Sequence, residues 1–127
     1  MKPDFYADLL NTYVQAVRLF QPYLEHFPRH ERFGLTKRIQ TTVYDLHDDF
    51  IEAKTRRKNT SALTSMEINL EKLKFQFRLA DELGMFRYKQ SSVQNDPYEA
   101  HRRYYEVTKR LASLEKLIRQ WIQSEGN

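Results

Sequence analysis

Four polar residues that could bind a metal or transfer a proton occur close together: Asp45, His47, Asp48 and Asp49. Carboxylates and imidazoles are common metal ligands, but they must project toward one point to hold an ion. If this stretch is helical, Asp45 and Asp48 lie on its outer face while His47 lies to one side. We therefore expect a solvated face here, and we predict that the chain binds no metal and no cofactor.

A second pair of possible ligands, His26 and His30, has the spacing of one helical turn. Pro28 lies between them and interrupts the helix that would align their side chains. The chain has no Cys, no Glu-x-x-His pair, no G-x-S-x-G motif and no glycine-rich phosphate loop. It also lacks the Arg-x(4–6)-His motif of helical ribonuclease toxins. These absences predict a protein without catalytic residues, and a nuclease or toxin component is the least favoured function.

The basic residues are concentrated in two blocks. The formal net charge is +4. Residues 29–58 have eight Lys/Arg against five acids (+3), and residues 101–127 have six against three (+3), whereas residues 1–28 and 59–100 each sum to −1. Such blocks are typical of a protein with an anionic partner.

In the last block, Arg102, Lys109 and Lys116 repeat every seven residues, and Arg103 and Arg110 flank them. On a helix the first three form a basic rail, roughly 20 Å long, opposite the apolar stripe. A second basic set lies at the two ends of the helix that precedes residue 59: Lys37, Arg38, Lys54, Arg56, Arg57 and Lys58. We predict that both sets contact the phosphates of RNA or DNA, recognising charge and shape rather than base sequence. A basic face with no partner remains the alternative.

The elements that must position these residues are four long segments in which apolar residues recur at steps of three and four. This spacing is typical of helices that pack lengthwise. The stripes are Tyr6, Leu10, Tyr13, Val17, Phe20, Leu24 and Phe27; Leu35, Ile39, Val43, Leu46, Phe50 and Ala53; Leu63, Met66, Leu70, Leu73, Phe77, Ala80 and Leu83; and Tyr104, Val107, Leu111, Leu114, Ile118 and Trp121.

Chain-breaking residues separate these segments, at 27–34, in "RRKNTSA" and in "SSVQNDP". The predicted helices are 3–27, 35–57, 61–86 and 97–124. Ser61 and Asp96 are the expected N-caps, and Pro22 is expected to kink or loosen the first helix. The sequence thus predicts an all-α, antiparallel up-down four-helix bundle in which residues 1–127 form one domain.

The third predicted helix has a second apolar row on the side opposite its core stripe: Ile68, Phe75, Leu79 and Phe86. Tyr44 and Tyr105 project from the outer faces of the second and fourth helices. Because this helix already has a core face, its second apolar row would be exposed to solvent in a single bundle. We therefore predict that other copies of the chain pack against this row in a homo-oligomer. The alternative is an irregular bundle that buries the third helix centrally.

The stretch "HFPRHERFGLTKRI" joins the first two helices. Pro28 is expected to end the first helix, and Gly34 to adopt a backbone conformation closed to other residues. Phe33 and Leu35 are expected to pin the corner to the core. The stretch is therefore predicted to be mainly structural, with charges that serve a partner secondarily.

"FPRHERFGLTKRIQ" resembles the hallmark of four-helix bundle proteins encoded in intervening sequences of 23S ribosomal RNA genes. The matching residues are Phe27, Pro28, Arg29, Glu31, Arg32, Phe33, Gly34, Leu35 and Thr36. "KLKFQFRLADELGMF" and "YYEVTKRLASLEKLIRQWI" are more similar to the accessory variability determinant (Avd) branch, found in diversity-generating retroelements. The residues that carry this similarity are Phe75, Phe77, Arg78, Leu79, Ala80, Trp121 and Ile122. One departure is Arg119-Gln120-Trp121 where that branch often has Gly-Gly-Trp.

This resemblance implies a homopentameric barrel of four-helix bundles with a basic surface. Its implied partners are the element's reverse transcriptase and template-repeat RNA, in mutagenic retrohoming, and no catalytic residue is implied. The alternative is a structural or interaction protein of the ribosomal intervening-sequence type, with no reverse-transcriptase partner. The chain has no apolar run of membrane-spanning length and no signal-peptide core, so we expect a cytoplasmic protein without membrane contact.

Overall fold

The computed structural model describes residues 4–88 and 97–126, and within them the regular structure is helical throughout, with no strand. The elements are α1 (Phe5–His26), a 3₁₀ turn (Arg29–Glu31), α2 (Leu35–Thr55), α3 (Thr60–Glu82) and α4 (Pro97–Gly126). The prediction of an all-α protein with four helices is confirmed. None of the helices described is both long and apolar enough to cross a membrane.

Contacts between the helices establish an antiparallel arrangement. Phe5 at the start of α1 stacks on Trp121 near the end of α4, with ring centroids 6.0 Å apart. Further along α1, Gln15 accepts a hydrogen bond from Arg110, which lies earlier in α4. Rising residue numbers in α1 therefore meet falling numbers in α4. Around the bundle, α1 packs against α2 and α4, and α3 packs against the same two helices.

The core follows the predicted stripes more closely in α2, α3 and α4 than in α1. Every member of the second stripe is buried, and the third and fourth stripes are buried apart from Leu83, which is 58% exposed, and Tyr104, which is half-buried. In α1, Leu9 and Ala16 are fully buried, whereas Tyr6, Leu10 and Val17 are only half-buried. The buried face of α1 is thus rotated slightly from the predicted one, toward Leu9 and Ala16.

The helix starts differ in part from those predicted. Asp4 caps α1, since its Oδ1 accepts the Ala7 N–H at 3.0 Å. The N-cap of α3 is Asn59 rather than Ser61, and the Asn59 amide donates to the Ala53 carbonyl at 3.2 Å, which links the ends of α2 and α3. The predicted N-cap Asp96 lies outside the described residues. α1 continues through Pro22 to His26.

The corner between α1 and α2 is organised by Pro28 and Glu31. α1 ends before Pro28, whose ring favours the extended conformation seen at Phe27 (ψ 152°). After the 3₁₀ turn, Glu31 Oε2 accepts the Leu35 N–H at 3.0 Å and so places a carboxylate at the N-terminus of α2. Leu35 is buried, as predicted for a residue that pins the corner.

One prediction about this corner is wrong. Phe33 does not pin it to the core, because the side chain is 87% exposed. Gly34 has φ −102° and ψ −117°, a combination outside the main regions that residues with a Cβ occupy. Space also favours a glycine here, because an added Cβ would lie 2.8 Å from Oε2 of Glu31, the same atom that caps α2.

α3 ends earlier than predicted because of Gly84. This residue has φ +73°, and its N–H donates to the Asp81 carbonyl at 3.0 Å while the Met85 N–H donates to Ala80 at 2.9 Å. The two bonds form a Schellman motif, in which a left-handed glycine closes the helix. The chain then turns back over the bundle, so Phe86 is completely buried instead of lying on the outer face of α3.

Candidate nucleic-acid interface and apolar face

The basic rail of Arg102, Lys109 and Lys116 lies on the exposed face of α4, but acids three residues earlier pair with its first two members. Glu99 Oε2 lies 2.8 Å from Arg102 Nη2, and Glu106 Oε1 lies 3.4 Å from Lys109 Nζ. Lys116 has no carboxylate within 4.0 Å in the part of the chain that the structure describes. Two of the three charges of the rail are therefore partly neutralised by ion pairs, and Lys116 is the cation most available to an anionic partner.

Arg103 is not part of this exposed surface, and its predicted place beside the rail is wrong. The side chain is 5% exposed. Its Nη1 donates to the Phe86 carbonyl at 2.7 Å, and its guanidinium carbon lies 3.7 Å from the centre of the Tyr88 ring. Arg103 thus fastens the segment that follows α3 to α4. Such a charge contributes to stability rather than to an outward-facing surface.

Arg110, the other residue predicted to flank the rail, is less exposed than the rail residues and less buried than Arg103. It is half-buried, and its Nη1 donates to Gln15 Oε1 on α1 at 3.1 Å. This bond directs the guanidinium toward the junction of α1 and α4. Arg110 is accordingly at the edge of the basic rail, where its charge still reaches solvent.

The basic residues predicted at the ends of α2 are all exposed: Lys37, Arg38, Arg56, Arg57 and Lys58. Arg56 is 4.0 Å from Glu52, at the limit of an ion pair, and the ammonium of Lys54 lies 4.3 Å from the centre of the Tyr6 ring. Both ends of α2 therefore present positive charge to solvent. Their part in binding stays a prediction.

The polar cluster on α2 divides into outer and inner members. Asp45 and Asp48 are exposed as predicted, but Asp49 is only 8% exposed and does not belong to a solvated face. Asp49 accepts hydrogen bonds from Ser65 Oγ at 2.9 Å and from Asn69 Nδ2 at 2.7 Å, both on α3. Burial raises the pKa of the Asp49 carboxyl, and these two hydrogen bonds oppose the shift.

The imidazoles contact aromatic rings. His47 stacks on Tyr13, with centroids 5.4 Å apart, and His26 stacks on Tyr88 at 4.3 Å. Across residues 4–88 and 97–126, no three His, Cys, Asp or Glu side chains are grouped so that they could hold a metal ion. These histidines therefore contribute to packing between elements.

The outer face of α3 carries an exposed apolar row. Ile68, Phe75 and Leu79, which we call the outer row, are 51%, 69% and 48% exposed. Ile68 and Phe75 line a shallow groove of about 530 Å³, together with Glu67, Glu71, Lys72 and Gln76. Phe86, the fourth residue predicted for this row, is instead buried in the core of the same chain. Its loss shortens the row without covering it.

Tyr44 on α2 and Tyr105 on α4 are 59% and 54% exposed, as predicted for the outer faces of the helices that flank α3. The Lys109 ammonium lies 5.0 Å from the centre of the Tyr105 ring. An exposed aromatic ring and a cation of the basic rail are thus adjacent on α4.

The acids that pair with the rail were not recognised from the sequence. Glu99 and Glu106 precede Arg102 and Lys109 by three residues, a spacing that places oppositely charged side chains side by side on a helix. The signal was therefore present in the primary structure.

Comparison with known proteins agrees with this architecture. No curated protein matches the sequence significantly. Residues 10–124 match the family model described as bAvd-like, which is not a known enzyme family. The match covers most of the chain, including all of α2 and α3 and the corner between α1 and α2. Four helices of the expected order and a family match of this extent together show that the chain belongs to the bAvd-like family.

Proposed function

We propose that the chain is a non-enzymatic accessory protein of a diversity-generating retroelement. Copies of it assemble into a homo-oligomer, a pentamer by the family resemblance, and the assembly binds the reverse transcriptase and RNA or DNA in mutagenic retrohoming in the cytoplasm. The observation that carries the proposal is the exposed outer row of α3 in a chain of the bAvd-like family. The family match also favours this function over an intervening-sequence protein without a polymerase partner.

Assembly follows from the two-sided character of α3. Leu70, Leu73 and Phe77 bury one face of this helix in the protomer, yet Phe75 on the opposite face is 69% exposed. Removing apolar side chains from water contributes about 25 cal/mol per Å² of buried apolar surface, which opposes the entropy lost on association. Copies of one chain that share such a face can bury it against one another. When the copies are related by closed symmetry, the assembly has a definite number of subunits.

Nucleic-acid binding follows from the charges that remain outside such an interface. The basic rail and the ends of α2 expose cations on helices whose other faces are in the core. Each phosphate contact releases counterions, so binding should weaken steeply with salt and should show little sequence preference.

The test is binding of a labelled RNA to the protein, measured by fluorescence anisotropy over a salt series. We expect replacement of Arg102, Lys109 and Lys116 together by Glu to weaken binding at least tenfold, with helical signal and native mass unchanged. A matched control replaces Arg18, Arg87 and Arg119, which are also exposed, by Glu and changes the net charge equally. Equal losses in both variants would contradict the assignment of the rail.

The polymerase partner is tested separately. A tagged chain should co-elute with the reverse transcriptase that is encoded near its gene. The gene itself should lie next to paired template and variable repeats. A gene placed in a ribosomal RNA operon, with no reverse transcriptase nearby, would contradict the proposal.

A further inference from the structure

A concave surface lies at the corner between α1 and α2, and no residue of the basic rail lines it. Its volume is about 490 Å³, within the range of roughly 300–1,000 Å³ typical of ligand sites. We call it the corner pocket. The residues that line it include Glu25, Arg29, Arg32, Phe33 and Lys37.

The cations of the corner pocket are more available than those of the rail. Arg29, Arg32 and Lys37 are exposed, and in the described part of the chain none has a carboxylate oxygen within 4.0 Å. Glu31 directs its carboxylate to the Leu35 N–H and is not among the residues that line the pocket. Glu25 is the acid that lines the pocket, and it is exposed. Three unpaired cations therefore face a single concavity.

The exposed ring of Phe33 points to a ligand that has a flat apolar part as well as an anionic one. Phe33 is 87% exposed, and the guanidinium of Arg32 lies 5.6 Å from the centre of its ring. An exposed aromatic ring beside unpaired guanidinium groups is the combination that binds unstacked nucleobases and their phosphates.

We propose that the corner pocket binds an unpaired nucleotide of single-stranded nucleic acid. Arg29, Arg32 and Lys37 hold its phosphate, and the exposed face of the Phe33 ring stacks on its base. Duplexes do not offer a free base face, so the pocket distinguishes single strands from duplexes, whereas the rail contacts the phosphates of either. This inference rests on the proposed nucleic-acid function. It adds a second nucleic-acid site to the protein, one that prefers single strands to duplexes.

The test compares a labelled 12-nucleotide single strand with its duplex, in RNA and DNA forms, by fluorescence anisotropy at low salt. Phe33→Ala should weaken single-strand binding about tenfold and leave duplex binding unchanged, because only the single strand stacks. Phe33→Leu, which keeps an apolar side chain without a ring, should behave like Phe33→Ala. The side chain is almost fully exposed, so neither variant should disturb folding.

Charge variants test the phosphate part independently. Arg29→Gln should lower single-strand affinity and reduce the slope of log K against log salt by about one, as expected for one lost phosphate contact. Glu25→Gln removes the acid that lines the pocket and should raise affinity for the same strand. The proposal therefore requires that Arg29→Gln lowers the affinity for the single strand and that Glu25→Gln raises it.

The outcomes separate this inference from the proposed function. If the wild-type protein binds neither substrate, the proposed nucleic-acid function fails and the pocket fails with it. The second outcome is that wild type binds both substrates and Phe33→Ala binds each of them as tightly as wild type does. In that case the pocket assignment is overturned and the proposed function stands. If Phe33→Ala instead loses only the reverse transcriptase, the corner is a protein-docking surface and the nucleotide assignment is overturned.

Discussion

At the scale of single residues, Asp49 makes the stability of the bundle depend on pH. Burial raises its pKa above the ordinary 3.8, so the folded state binds this proton more tightly than the unfolded state does. The resulting stabilisation is present below the unfolded pKa and is lost as pH rises through the folded value. Asp81 has a pKa shifted in the same direction by burial, so the wild-type profile alone does not isolate Asp49.

We predict that Asp49→Asn becomes more stable relative to wild type as pH rises from about 4 to 7. The amide can still accept from Asn69 and contact Ser65, and it carries no buried charge. Urea unfolding of both proteins at each pH gives the difference in free energy of unfolding, in which the contribution of Asp81 cancels. A difference that is constant with pH, or that changes in the opposite direction, would contradict this role of Asp49.

Arg103 provides the second prediction at this scale. Arg103→Met keeps an unbranched apolar stem but removes the donor to the Phe86 carbonyl and the cation over Tyr88. The free energy of unfolding should fall by about 2 kcal/mol, as for a buried hydrogen bond from a charged group. RNA affinity of the folded protein should not change.

The control is Arg102→Met, the neighbouring and exposed arginine. It should leave the unfolding midpoint unchanged and weaken RNA binding. If the two variants showed the reverse pattern, Arg103 would belong to the binding surface after all.

At the scale of elements, Gly84 determines where α3 stops. Its φ of +73° is costly for any residue with a Cβ, although an added Cβ would meet nothing within 4 Å. Gly84→Ala should therefore lower the free energy of unfolding by about 1 kcal/mol, and Gly84→Asn by less, because Asn tolerates this conformation better. Urea denaturation would show this order. An alanine variant as stable as wild type would mean that α3 can end by another route.

The helices themselves were largely predictable, and the reasons differ between elements. Every apolar residue predicted for the core face of α2 is buried, because this helix has one apolar stripe between two clear breakers, Pro28 and the "RRKNTSA" segment. Phe86 was misplaced because helical spacing was extended across Gly84, where the chain changes direction. A glycine after "LADEL" was a recognisable helix-end signal.

The candidate sites were less predictable, because they depend on contacts between elements. Helical spacing put Arg103 beside the basic rail, but it could not show that residues 86–88 fold over α4 and cover it. Likewise Asp49 is adjacent to exposed Asp48 in sequence, and only the packing of α3 makes it a buried acceptor. The exposed ring of Phe33 was expected in the core because aromatic residues in a turn usually pack there.

At the scale of the whole molecule, the central claim is that α3 is apolar on two sides and that identical chains cover its outer row. A carboxylate introduced at Phe75 would be buried without a partner in such an interface, at a cost of several kcal/mol or more. In the isolated protomer the same side chain is 69% exposed, so the substitution should not prevent folding.

The most direct measurement is the native mass of wild type, Phe75→Glu and Phe33→Glu at equal concentration. Wild type and Phe33→Glu should have the mass of an oligomer, since Phe33 is equally aromatic and exposed but lies at the corner. Phe75→Glu should have the mass of one chain, with its helical circular dichroism unchanged. A monomeric wild-type protein, or an oligomer that survives Phe75→Glu, would contradict the account.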